Sequence, residues 1–269
     1  MGSSEMSAIN LNADLGESFG RYRIGNDSGI MQVIRSANIA CGFHAGDPTV
    51  MTEAVSLAKA NGVSIGAHPG FNDLWGFGRR QIQMNPADLQ YMITYQIGAL
   101  QAIARAAGAN VTHVKPHGAL NNMAHMRRDY AMAIARGIQA ADSGLIFVAN
   151  ACSEMVIAGQ ELGLRVAHEA YVDRRYDDSG LMTSRTEPDA VIHDANVAVK
   201  QVLSFIREQA IITRSGKRIP TPIHSFCTHG DEGTAMGLVR AVRDALTAEG
   251  IDIVALPEMN LDLPATSMG

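Results

Sequence analysis

HVKPHGALNN, residues 113–122, lies just beyond a long helical run over 86–107 and continues a short apolar strand that begins at Val111. Alternation along 111–115 puts Val111, His113 and Lys115 on one face and Thr112 and Val114 on the other. Pro116 cannot donate to a ladder and Gly118 relaxes the backbone, so the strand stops there and the chain turns. Two imidazoles and an ammonium therefore gather at the carboxyl end of a strand, where α/β proteins carry their chemistry.

The same arrangement recurs in both directions. A strand over 7–12 alternates Ile9 and Leu11 with Asn10 and Asn12, and Asp14 follows in the polar phase if the strand runs on. A short helix is expected near 30–35. The strand over 36–40 ends at CGFHAGD (41–47), where Asp47 suits an N-cap and Pro48 the first turn of a helix over 48–60. The strand over 63–67 ends at His68, and the loop 71–85, FNDLWGFGRRQIQMN, carries the only tryptophan. A loop of that length in a compact domain reads as a lid or binding loop. Beyond the opening stretch come a helix over 129–141, a strand over 145–149 ending at Asn150, a helix near 153–162 and a strand over 165–170. A densely charged segment (171–188) and a helix over 188–209 follow. Residues 213–222 read as a solvated basic connector. The strand over 223–227 ends at Thr228-His229-Gly230-Asp231, before a helix over 232–248 and a last strand over 251–255.

Seven or eight mostly parallel strands thus alternate with helices without a composition break, which predicts an α/β protein closed as an irregular (β/α) barrel. An open doubly wound sheet is the alternative, but its G-x-G-x-x-G turn is missing. Residues 1–7 are expected as a flexible start without signal-peptide character, 8–258 as a single barrel domain, and 259–269 as a loose tail. The net charge of -5 argues against a nucleic-acid partner. No apolar run approaches the ~20 residues that span a bilayer, so no membrane partner is expected. Three cysteines in no metal-binding spacing fit a reducing cytoplasm. No G-x-x-x-x-G-K-[ST] loop marks this chain as an ATP binder by itself.

Successive strand ends carry Asp14, His44, His68, Lys115 with His117, Asn150, Asp173, and His229 with Asp231. Barrel interiors are normally packed with Val, Ile and Leu, whereas the polar phases here predict a polar upper layer and an active site. Asp14, His44, His68 and His117 are candidate ligands for a divalent metal, since a carboxylate and neutral imidazoles suit zinc and related ions. Alternatively, Asp14 orients a histidine that acts as general base on water, with Lys115 stabilising an oxyanion. Arg79 and Arg80 either clamp an anion by bidentate bonds or form surface ion pairs. Cys41 with His44 makes a poor nucleophile–base pair, because the two sit too close on one turn.

NADLGESFG (12–20), ANIACGFHAGDP (37–48), GVSIGAHPGFNDLWGFGRR (62–80), YQIGAL (95–100), HVKPHGALNN (113–122), DRRY (173–176) and HGDEG (229–233) resemble the LamB/YcsF family over about residues 9–257. That family contains the A-subunit of the bacterial ATP-dependent 5-oxoprolinase. The resemblance implies an irregular barrel similar to the glycoside hydrolase/deacetylase fold. It also implies cleavage of 5-oxo-L-proline to L-glutamate coupled to ATP, the nucleotide engaged through a complex with subunits B and C. Together with the residue reading it points to Asp14, His44, His68, Lys115 and His117 as catalytic. Asn12, Arg79, Arg80, Asn150, Asp173, Arg174, His229 and Asp231 are the expected substrate contacts. The chain departs from the family pattern at Asn121, at Ala170-Tyr171-Val172 and at Thr228, all beside an intact polar set. Two rivals are a stand-alone metal hydrolase acting on acetylated sugar and a ligand-binding subunit without catalysis.

Overall fold

Apolar side chains at every second position of each strand need a cover, and the helices that follow the strands supply it. In chain order the elements are β1 (Ala8–Leu15), α1 (Asp27–Ile30), β2 (Ser36–Ala40), α2 (Pro48–Ala60), β3 (Ser64–His68), α3 (Pro86–Ala106) and β4 (Val111–Val114). Then come α4 (Gly118–Met126), α5 (Arg128–Ala141), β5 (Ile146–Asn150), α6 (Glu154–Glu161), β6 (Val166–Tyr171) and α7 (Ala195–Glu208). The chain continues with β7 (Ala210–Ile212), β8 (Arg218–Pro220), β9 (Ser225–Thr228), α8 (Ala235–Ala248) and β10 (Asp252–Ile253). The computed structural model describes residues 8–228 and 235–261. The expected flexible start, most of the expected tail, and the candidates His229 and Asp231 lie outside the described residues.

β1, β2, β3, β4, β5, β6 and β9 pair in that order, all in parallel, and β9 returns to β1 to close the barrel. Eight residues let β1 do this. Asn10 to Ala13 align with β9, Asn12 to Leu15 align with β2, and Ala8 with Ile9 take β10 as a third partner. Ile9, Leu11, Ala13 and Leu15 point outward into the main core with Ile39, Val55, Ile65 and Ile97. A smaller apolar cluster of Ile146, Val148, Ala167 and Leu256 comes from the inward phases of β5 and β6 and from a 3-10 turn at Leu256–Glu258. It plugs the amino-terminal end of the barrel. Among the described residues no helix is long and apolar enough to cross a membrane.

Four local expectations are corrected. β1 runs on to Leu15, so Asp14 belongs to the strand. HVKPHGALNN does not simply turn: α4 starts at Gly118 with His117 at its N-cap, a helix that glycine and two asparagines hide from propensity. Residues 213–222 are not just a solvated connector, because β7 and β8 form an antiparallel pair in which Ile211 faces Ile219. The helix expected from 188 starts at Ala195, where the Asp194 carboxylate accepts from the Asn196 and Val197 amides.

Candidate active site

At the carboxyl end of β4 the Lys115 side chain turns into the barrel and is only 1% exposed. Its Nζ lies 2.7 Å from Asp14 Oδ1, 2.9 Å from Cys227 Sγ and 3.5 Å from Glu169 Oε2, and 5.2 Å from the centre of the Tyr171 ring. Burial works to lower the Lys115 pKa, but Asp14 first, then its other neighbours, outweigh it, and the net direction is well upward. The ammonium therefore stays charged. Glu169 goes the other way from an ordinary carboxylate: burial raises its pKa more than Lys115 lowers it. Asp14 and Lys115 form the closer ion pair, at 2.7 Å against 3.5 Å for Glu169.

Below this pair the barrel is filled by hydrogen-bonded amides and hydroxyls. Asn38 Nδ2 donates to Asn12 Oδ1 (2.7 Å) and Asp14 Oδ1 (3.0 Å). Asn12 Nδ2 donates to Glu169 Oε1 and Ser225 Oγ, each at 2.7 Å. Ser225 and Ser36 both bond Asn10, and Ser64 bonds Ser36. The polar layer expected at the mouth thus extends almost to the floor. Buried polar groups cost little when each finds a partner, and most of these do.

Beside Lys115 stand three histidines. His68 Nδ1 is 2.6 Å from the Lys115 carbonyl, and His117 Nε2 is 2.8 Å from the Phe77 carbonyl. A carbonyl can only accept, so in the neutral rings those nitrogens carry the hydrogens. That leaves lone pairs on His68 Nε2 and His117 Nδ1, which face each other at 3.0 Å. His44 stacks on His117 with ring centres 3.6 Å apart, and its Nε2 is 3.3 Å from Glu17 Oε1. His44 Nδ1 is buried without a partner. Asp14 Oδ2 lies 3.3 Å from His68 Nε2, and Glu17 Oε1 lies 3.5 Å from His117 Nδ1. Burial, then the neighbouring imidazoles, drives the pKa of His44 and of His117 well down. Two opposed lone pairs repel unless a proton or a metal cation is shared between them. One donor atom each from Glu17, His44, His68 and His117 fall within 4.8 Å of one another. This set of three imidazoles and a carboxylate fits a zinc-like divalent ion.

The loop 71–85 shapes the rim. Phe77, in the left-handed region at φ 53°, sets its ring edge-on to His44 and His117 while its carbonyl holds His117. A cavity of about 1020 Å³ opens above, walled by Asp14, Glu17, His68, Lys115, His117 and Arg79 among others. Arg174 also lines it. Arg80 instead binds the Asp73 carboxylate, Asn150 accepts from the Tyr171 hydroxyl at 3.4 Å, and Asp173 is buried nearby. Glu17, Glu169, Tyr171 and Cys227 were missed by the sequence reading. Their signal was present but weak: Glu17 follows Asp14 by three residues, and the others continue the inward phases of β6 and β9.

The sequence profile of the LamB/YcsF family matches residues 9–261. A protein of Azoarcus sp. (strain BH72) named as a 5-oxoprolinase A-subunit is 49% identical over 254 residues, spanning 94% of this chain and 99% of that protein. One of the same name from Clostridium beijerinckii is 48% identical and spans 93% of this chain and 98% of that one. The crystal structure of a lactam utilization protein from Thermus thermophilus superposes with a TM-score of 0.87 at 40% identity, covering 93% of this chain and all of that one. A peptidoglycan N-acetylglucosamine deacetylase domain from Eubacterium rectale shares the fold alone, with a TM-score of 0.52 at 10% identity over 97% of this chain and 96% of that one. With the motifs, the barrel and these likenesses in agreement over nearly its whole length, the chain belongs to the LamB/YcsF family.

Proposed function

We propose that this chain carries the ring-opening step of a cytoplasmic, ATP-coupled 5-oxoprolinase, converting 5-oxo-L-proline to L-glutamate together with subunits B and C. The carrying observation is the buried Asp14–Lys115 pair set against the histidine cluster at the base of one cavity. The names of the relatives support the substrate. A five-membered lactam is an unstrained amide and a poor electrophile. Phosphorylation of its oxygen by a partner subunit at the expense of ATP makes that oxygen a leaving group. Asp14, next to His68, takes a proton from the water that attacks the ring carbon. Lys115 holds the negative charge that develops on oxygen, in a site dry enough for the interaction to count. The carbon–nitrogen bond then breaks as the nitrogen gains a proton to become the amine of glutamate, and a second water attacks the acyl phosphate so formed, releasing phosphate and leaving the new carboxylate. Glu17, His44, His68 and His117 would hold a divalent ion, whose chemistry is to polarise an oxygen or acidify bound water.

Glutamate and phosphate release, measured with ATP, 5-oxoproline and both partner subunits, tests the reading. Asp14→Asn and His117→Ala should each lower coupled glutamate release by about 10²-fold or more. Unchanged release in both variants overturns the assignment. The donor cluster also favours a second reading, a metal-dependent hydrolase that works alone. That reading requires turnover of an amide or acetylated sugar without ATP or partners, abolished by chelation.

A further inference from the structure

The same cavity has a further polar stretch of wall, remote in sequence from the histidines. Arg174, just past β6, is 6% exposed, and Thr183 is 5% exposed; both line the cavity. Arg174 Nη2 donates to the Thr183 carbonyl at 2.5 Å, while Arg174 Nε and Thr183 Oγ1 are buried with no partner. Among the described residues no carboxylate is hydrogen-bonded to Arg174. Two acids that follow it on that wall are engaged elsewhere: Asp177 accepts from Ser179, and Asp178 accepts from Thr213 and Ser215. Burial and then the neighbouring Arg185 push the Arg174 pKa down from its ordinary value, by more than Asp173 raises it. A guanidinium taken out of water without a bonded counter-ion is costly, and a hydroxyl left unbonded beside it adds to that cost. The backbone holding the pair is fixed. Gln201 Nε2 donates to the Arg174 carbonyl at 2.9 Å, and the Thr183 amide donates to the Arg175 carbonyl at 2.9 Å.

We infer that Arg174 and Thr183 form the subsite for the carboxylate of the substrate, in the same cavity as the groups that act on its carbonyl. This rests on the proposed substrate class and goes further: it says which group of the lactam is recognised, and where. A planar carboxylate matches the guanidinium edge, and one of its oxygens still has a lone pair to accept from the Thr183 hydroxyl. A ligand bound this way would be an acid, and its neutral amide would be rejected because the buried cation would stay unpaired.

Calorimetric titration of the full chain with 5-oxo-L-proline and with its neutral carboxamide provides the test, alongside succinate and inorganic phosphate as lactam-free anions. The acid should bind at least about tenfold more tightly than the amide. Arg174→Gln should erase that preference by weakening the acid alone, and Thr183→Val should reduce it several-fold; the valine variant serves if the glutamine variant does not fold. A preference that survives in the variants overturns the subsite. If no lactam binds but succinate or phosphate does, and Arg174→Gln or Thr183→Val weakens it, the anion subsite stands and the 5-oxoproline reading fails. If no ligand binds, or binding is indifferent to both variants, the subsite is wrong.

Discussion

Gly66 shows how closely single residues are matched inside this barrel. It pairs in register with His113 on the neighbouring strand, and a Cβ built there would overlap the His113 ring. The ring fills the space a side chain would take. It is fully buried, with Nδ1 2.9 Å from the Thr112 hydroxyl and Nε2 without a partner. Lys115 lies two residues further along the same phase, so a displaced ring disturbs the ammonium as well. Gly66→Ala should therefore destabilise the protein by about 1–3 kcal/mol or more, the usual range for overpacking. Urea denaturation measures this directly, and a midpoint within error of the parent would show that the ring moves aside freely.

At the scale of an element, the loop 71–85 acts as a bracket for His117. Asp73 accepts from the Gly76 amide at 3.0 Å and from Arg80 Nε at 2.9 Å, and its own carbonyl accepts from the Gly78 amide at 2.9 Å. The turn so built aims the Phe77 carbonyl at His117 and the Gly78 carbonyl at the Ala119 amide. Trp75, by contrast, is 98% exposed. Asp73→Ala should loosen the bracket and lower divalent-metal affinity by about 10- to 100-fold, as loss of an outer partner of a ligand does. Trp75→Ser should leave stability within about 0.5 kcal/mol. Zinc titration with a chromophoric competitor, set beside thermal melts, separates the two. Equal metal affinity in Asp73→Ala and the parent would detach the loop from the donor cluster.

Across the whole molecule, buried neutral histidines make the fold sensitive to acid. Burial, the largest cause in each case, pushes His113 down to about 3 and His125 and His168 down to about 4. In the unfolded chain these rings return to about 6.5, so between roughly pH 4 and 6.5 the unfolded state binds more protons. Stability therefore rises with pH across that window and is lost as pH falls through it, by up to about 1.4 kcal/mol per pH unit for each ring. Melting temperatures should be nearly flat above about pH 7 and fall steeply toward pH 5. His125→Met, which removes a ring with both nitrogens unpartnered, should flatten that slope. The same slope in the variant would mean that His125 is not among the groups responsible.

The order of strands and helices was legible because it depends on local periodicity: two for the strands and 3.6 for the helices that cover them. Asp14, His44, His68, Lys115 and His117 were legible for a related reason, as ionisable residues at strand ends that an apolar barrel does not need. Residues 118–126 and 210–220 were misread because their helix and hairpin are held by neighbours distant in sequence, against their own weak propensity. Cys227 reaches Lys115 across 112 residues and Glu169 reaches Asn12 across 157, contacts that follow only from strand register once the barrel has closed. The sequence by itself determined the barrel class and picked out many of the ionisable side chains that gather at its mouth, because both are written in short-range patterns. Which of those side chains face one another was decided only by the tertiary structure. The carbonyls of Lys115 and Phe77 select the tautomers of His68 and His117, and Glu17 joins the three histidines only where the loops fold over the strand ends.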